Sequence, residues 1–320
     1  MRTTPQGSFH LFRLKGIDVF LHWSWFLVAA YEIQLRHTAY SSVAWNALEY
    51  VGLFLIVTTH EFGHSLACRQ VGGRADKIVL WPLGGVAYVD PPPRPGATLW
   101  SIAAGPLVNV ALAPIFFGLL LFAKSAGWAY TLPDAYRLIR AVLSIDIGLF
   151  VFNMLPIYPL DGGQIFRSLL WFILGRARSL LVATILGFVG VIAFIGLAIW
   201  IRDIWFAAIA VFMLLNCWSG LRQARALLKI AKLPRRNGFA CPRCHSAPPL
   251  GQFWKCRQCS QSFDTFQTGA SCPNCNARYD VTTCLDCRES RPMIEWATSS
   301  IAPAKLYLDY FHASSANFES

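Results

Sequence analysis

In the run Val57-Thr-Thr-His-Glu-Phe-Gly-His-Ser-Leu-Ala67, two histidines stand four positions apart and a glutamate follows the first. On a helix, residues i and i+4 share a face, so His60 and His64 can offer two imidazoles to one metal ion. Glu61 is then placed to act as a general base toward water rather than as a ligand. Gly63 leaves room beside the pair. The six residues ahead of this run, Val51-Gly-Leu-Phe-Leu-Ile56, carry no charge. An ionisable side chain near the centre of a bilayer costs about 2.5–3.5 kcal/mol even on insertion scales. Three on one turn of an apolar helix therefore mark a function rather than a polar cluster that merely satisfies itself.

A catalytic zinc takes three protein ligands and keeps one position open. Two aspartates in apolar surroundings compete for the third place. Asp146 lies seven residues before Asn153, on the same helical face. Asp161 lies in Asn153-Met-Leu-Pro-Ile-Tyr-Pro-Leu-Asp-Gly-Gly163, where Pro156 and Pro159 break the helix. Irregular backbone at membrane depth persists where it lines a cavity, which favours Asp161 as ligand. The plainer role for Asp161 is a helix N-cap. Asp146 is expected to hydrogen-bond between helices or to lie near a water path.

The elements that must position these groups are apolar. The chain has 320 residues, of which 55% are hydrophobic and only 14% charged, against about a quarter charged in soluble domains. Six stretches approach the ~20 apolar residues that a span needs: roughly 19–35, 46–68, 98–123, 137–157, 180–201 and 203–221. Residues 74–90 read instead as a hairpin around Pro82-Leu-Gly-Gly85. Arg2, Arg13, Lys15, Arg69, Arg74, Lys77, Arg94, Arg167, Arg176, Arg178 and the basic run Arg222–Arg236 fall on one side. By the positive-inside rule both termini are then cytoplasmic. The expected fold is an all-α polytopic membrane protein of about six transmembrane helices, with a short membrane-associated β-hairpin and small C-terminal zinc ribbons. The expected divisions are a membrane domain at 1–221, a basic juxtamembrane linker at 222–240, tandem ribbons at 241–287 and a tail of unknown structure at 288–320. The first 19 residues lack the continuous apolar core of a cleavable signal. The net charge of +11 fits cytoplasmic loops in a protein of this kind.

His60-Glu-Phe-Gly-His64 followed about 90 residues later by Asn153–Gly163 resembles the paired signatures of the site-2 protease family of membrane-embedded zinc metalloproteases. Ala104-Gly-Pro-Leu-Val-Asn109 is similar to a third family feature, and Leu80–Tyr88 to its membrane-inserted hairpin. The resemblance covers roughly residues 17–175. It implies zinc held by His60, His64 and Asp161, Glu61 as the base, and hydrolysis of a peptide bond in a transmembrane protein substrate, as in regulated intramembrane proteolysis. It also implies that Asn109 and Asn153 sit near the site, contacting substrate or steadying an oxyanion. Interhelical hydrogen bonding is the equally weighted alternative for each. Two other readings compete: a non-catalytic membrane adaptor, and a metal transporter using intramembrane His and Asp. Glu61 and the Pro-Leu-Asp-Gly-Gly break favour hydrolysis.

Eight of the ten cysteines form four Cys-x-x-Cys pairs: Cys241/Cys244, Cys256/Cys259, Cys272/Cys275 and Cys284/Cys287. In a reducing cytosol this spacing indicates structural zinc. Sequential pairing, the first pair with the second and the third with the fourth, is the simplest expectation, with other pairings open. The expected zinc complement is one catalytic and two structural ions. Basic and acidic residues interleave along the tail, so it offers no stripe suited to phosphates. A cytosolic protein partner is expected instead of nucleic acid. The run Arg222–Arg236 suits an anionic lipid surface or a stop-transfer anchor.

Overall fold

In the computed structural model, residues 7–35, 38–81, 84–202, 204–287 and 289–298 are described. The chain divides into two compact units, at residues 1–222 and 223–320.

The first unit opens with a strand hairpin, β1 (Ser8–Leu14) and β2 (Ile17–His22), followed by helices α1 (Ser24–Leu35) and α2 (Val43–Gln70). A second hairpin, β3 (Arg74–Trp81) and β4 (Gly84–Asp90), leads into α3 (Pro95–Ser125). A short α4 (Trp128–Thr131), α5 (Pro133–Asn153) and α6 (Asp161–Ile201) follow, and α7 (Ile204–Ala231) begins in this unit and ends beyond residue 222. The expected hairpin over 74–90 is present, although Pro82 and Leu83 of its turn lie outside the described residues.

Two expectations need correction. The fold is mostly helical but not all-α, because the hairpin belongs to a four-stranded sheet in the order β1-β2-β3-β4. The stretch 19–35 is not one helix either. Val19, Phe20 and Leu21 are β-branched or bulky residues that gain partners on both sides, antiparallel to β1 and parallel to β3 with Val19 opposite Ile78. Ile17, Val19, Ile78 and Leu80 pack with Trp25 and Val57 in a buried cluster. Burial of these side chains, rather than intrinsic propensity, selects the strand. The 12-residue α1 is then about 18 Å long, short of a ~30 Å hydrocarbon core.

Among the described residues, three helical stretches are long and apolar enough to cross a membrane: Pro95–Ser125, Asp161–Ile201 and Phe206–Ala231. Large apolar side chains on α6, such as Ile192, Ile199 and Trp200, are 70–79% exposed, which suits lipid and not water. Helix α2 is 28 residues long but carries Asn46, Glu49, His60, Glu61 and His64, all buried. Helix α5 carries the buried Asp134 and Asp146. Their polar residues dilute the hydropathy of these two helices and point toward neighbouring elements. Asp134, in the first turn of α5, accepts from the Ser41 amide at 3.2 Å and from the Ser41 hydroxyl, tying the start of α5 to the start of α2.

The second unit is built on metal-type knuckles. It holds the hairpin β5 (Trp254–Lys255) and β6 (Ser262–Phe263), then β7 (Val281–Thr283) with β8 (Ser290–Pro292), and a 3-10 turn over Met293–Trp296. Residues 289–298, part of the tail whose structure the sequence left unknown, contribute to the core. Trp296 is 1% exposed and packs with Phe266, Met293, Cys241 and Cys284. Residues 299–320 lie outside the described residues.

Candidate metal centres

Helix α2 brings His60 and His64 onto one face, 3% and 5% exposed. Asp161 arrives from the start of α6. The chain between α5 and α6 folds back against the first turn of α6, and this needs Gly162 and Gly163. A Cβ on Gly162 would collide with the Met154 and Leu155 carbonyls, and one on Gly163 with the backbone at Ile157 and Tyr158. Asp161 occupies the helix start, yet the helix has no side-chain cap bond there. Its carboxylate turns instead to the histidines. Asp161 Oδ2 lies 3.1 Å from His60 Nε2 and 3.3 Å from His64 Nε2, and the two Nε2 atoms are 3.1 Å apart.

The other nitrogen of each ring is held by an acceptor. His64 Nδ1 donates to the Ser101 carbonyl at 2.9 Å. His60 Nδ1 lies 2.6 Å from Asn109 Oδ1. With a proton on each Nδ1, both Nε2 atoms carry lone pairs, and the facing carboxylate oxygen is also an acceptor. Three acceptors this close repel one another unless a cation sits among them. For ligands about 2.0–2.1 Å from zinc, a tetrahedron has edges of about 3.3 Å, which the observed 3.1–3.3 Å match. The donor set fits zinc. Helix α3 closes the other side. A Cβ on Gly105 would lie 2.9 Å from His60 Nε2 and overlap the His64 ring, so nothing larger than glycine fits. Pro106 has no N–H to offer the Ile102 carbonyl one turn back.

Comparisons with known proteins find relatives that cover the segment holding these residues. The model of peptidase family M50 matches residues 49–143 and 133–197. Over residues 49–197 the chain is similar to peptidase family M50. A zinc metalloprotease of Methanocaldococcus jannaschii is 32% identical over 182 residues, 56% of this chain and 50% of that protein. The chain thus spans about half the length of that curated relative. The solved structure of the site-2 protease from the same organism superposes with a TM-score of 0.50 at 26% identity, covering 67% of this chain and 95% of that one. The M50 match and the apolar helices make this an integral membrane protein.

Within the M50 region, Glu61 is buried at 6% exposure, one residue after His60. Gly63 does not open space at the rings but packs on α3, where a Cβ would meet the Ala104 carbonyl at 2.7 Å. Asn109 and Asn153 part company. Asn109 is 1% exposed, and its amide Nδ2 donates to Asp146 Oδ1 at 2.7 Å while its Oδ1 faces His60. Asn153, half-buried at the end of α5, joins no such chain among the described residues. Asp146 makes the interhelical hydrogen bond expected of it.

The ribbon cysteines gather into two groups of four, but not in sequential order. Cys241 and Cys244 meet Cys284 and Cys287, while Cys256 and Cys259 meet Cys272 and Cys275. The inner site is nested inside the outer one. Sγ atoms pair at 3.6 and 3.7 Å in the outer site and at 3.4 and 3.6 Å in the inner. A tetrahedral zinc with 2.3 Å bonds spaces its sulfurs by about 3.8 Å, so both sets fit. The knuckles share one local geometry. The amides of Cys241, Cys256, Cys272 and Cys284 each donate to the carbonyl five residues on. His245, Ser260 and Asn276, each four residues after the first cysteine of its knuckle, adopt φ of 56–60°. Spacing alone cannot distinguish sequential from nested pairing. The deciding contacts come from Phe266 and Trp296, which pack with Cys241 and Cys284.

Hydrogen bonding with Cys284 draws the Cys244 thiol down to about 4, while Cys284 itself is pushed up. The Tyr279 hydroxyl donates to Cys256 Sγ at 3.0 Å and lowers that thiol to about 6. Each site thus holds a ready thiolate, the form that binds metal. Two residues of the basic run are paired rather than free for lipid: Arg235 bridges to Asp286 at 2.6 Å, and Arg236 to the buried Asp264 at 2.7 Å.

Proposed function

We propose that the protein is an intramembrane zinc metalloendopeptidase that hydrolyses a peptide bond within or near a transmembrane segment of a membrane-protein substrate. The convergence of His60 Nε2, His64 Nε2 and Asp161 Oδ2 within 3.3 Å of one another carries this reading. His60, His64 and Asp161 would hold the catalytic ion, and the two four-cysteine groups two structural ones. When bound, zinc supplies a Lewis acid that acidifies water and polarises the scissile carbonyl. Glu61 takes the proton of the attacking water on its carboxylate and delivers it to the leaving amine. Burial of all four side chains keeps bulk water away and strengthens these electrostatic effects. A substrate helix protects its own peptide bonds, so it must unwind before cleavage. Strand β4, at the edge of the sheet, offers a line of backbone groups to pair with the extended segment.

Six crossings with both termini cytoplasmic remain the proposed topology, with α2, α3, α5, α6 and α7 as helical crossings. The first crossing is a strand followed by a helix. Arg69 binds the carbonyls of Lys15 and Gly16, and Tyr50 binds that of Trp25. Residues 16–25 therefore run antiparallel to the stretch of α2 between Arg69 and Tyr50, which is about 28 Å long. The ribbon unit would recruit a cytosolic protein.

The test is Glu61→Gln, which keeps the side chain's shape and removes its basicity. Cleavage of a single-span reporter should fall by about 10²–10⁴-fold while zinc content stays constant. Wild-type turnover by this variant would refute the assignment. A protein that merely recruits partners would be indifferent to the change.

A further inference from the structure

We propose that Asp146 is a positioning residue which, through Asn109, fixes the ring tautomer that lets His60 bind metal. The proposal rests on the zinc site described above. The chain of contacts runs from Asp146 Oδ1 to Asn109 Nδ2 at 2.7 Å, then from Asn109 Oδ1 to His60 Nδ1 at 2.6 Å. It joins α5, α3 and α2, and its members are 0%, 1% and 3% exposed.

An asparagine by itself specifies nothing, because its amide can turn either end toward an imidazole. With its oxygen toward His60, Nδ1 must carry the proton and Nε2 keeps its lone pair. With its NH2 toward His60, Nδ1 must accept, the proton moves to Nε2, and the ring can no longer bind metal there. An ionised carboxylate only accepts, so Asp146 compels Asn109 to present its NH2 to α5 and its oxygen to His60. His64 needs no such device, because a backbone carbonyl, also acceptor-only, faces its Nδ1.

The cost of this arrangement is visible. Asp146 is fully buried, and its second oxygen has no hydrogen-bond partner among the described residues. A buried carboxylate with one partner destabilises a fold unless something requires it. The requirement here is polarity: aspartate at 146 makes the chain of hydrogen bonds run one way, whereas an amide lets it run either way. Groups that orient metal-bound histidines are commonly worth about 10–100-fold in metal affinity.

The experiment measures zinc affinity by chelator competition on the full-length protein in detergent. His64→Ala serves as the reference that retains only the ribbon zinc. Asp146→Asn should weaken the His64-dependent zinc by about 10–100-fold. The double variant Asn109→Asp/Asp146→Asn moves the carboxylate one position along the chain. The carboxylate placed at position 109 would then accept from both His60 Nδ1 and the amide at 146, so affinity should return to the wild-type level. An unchanged affinity in Asp146→Asn, or a double variant as weak as the single one, overturns the proposal. If the single variant does not fold, the double variant alone decides by the same criterion. Equal zinc content in wild type and His64→Ala would instead overturn the metal site itself.

Discussion

Gly105 is the sharpest structural constraint on the proposed site. A methyl group there would lie 2.9 Å from His60 Nε2 and closer still to the His64 ring. Carbon prefers about 3.5–4.0 Å from a non-bonded heavy atom. Gly105→Ala therefore obliges His60 to retreat by at least about 0.6 Å and His64 by more. A misplacement of about 1 Å at a reacting centre costs on the order of 100-fold in rate, and overpacking of this kind destabilises by about 1–3 kcal/mol. The methyl also projects into the space between the two imidazoles, where the ion would sit. The variant should lose the His64-dependent zinc and at least about 100-fold in cleavage, while the ribbon zinc remains. The assay is metal content of detergent-purified protein alongside reporter cleavage. Gly118→Ala, on the same helix with nothing within 4 Å of the new carbon, is the control and should change neither. A Gly105→Ala protein that holds His64-dependent zinc with wild-type affinity would refute the geometry.

Two further outcomes concern the ribbons. Tyr279→Phe removes the hydroxyl that holds the Cys256 thiol near 6. The thiol then rises toward its ordinary value, protons compete better, and the inner site should release zinc at a higher pH than wild type on acid titration. The inner knuckles are 13 residues apart and the outer ones 40, a loop-closure difference of about 1 kcal/mol. The inner site should load first in a metal titration, and Cys256→Ser should weaken the outer site more than Cys241→Ser weakens the inner.

The residues of the main site were legible because their chemistry is rare in apolar surroundings. His60, Glu61 and His64 are fixed by helical spacing, and Asp161 by the prolines ahead of it. What joins them was not legible. Asn109 and Asp146 meet only through the relative rotation of α3 and α5, which no local pattern encodes. The strand at Ile17–His22 overlaps the start of the expected span because Val19, Phe20 and Leu21 form an apolar run. Its identity depends on β3, more than fifty residues away. The cysteine pairs pointed to two four-cysteine groups, but their nesting goes with the packing of Trp296 and Phe266, aromatic residues without a spacing signature.

The outer ribbon closes on itself. The Ala240 amide binds the Trp296 carbonyl at 2.8 Å, and the Thr298 amide binds that of Gly238 at 3.1 Å. Chain entering the module and chain leaving it thus run side by side. A module whose two ends meet imposes no separation on what flanks it, so such a cassette can be spliced into or removed from a host chain without stretching it. Thr298 lies beside Gly238, seven positions beyond the last residue of α7.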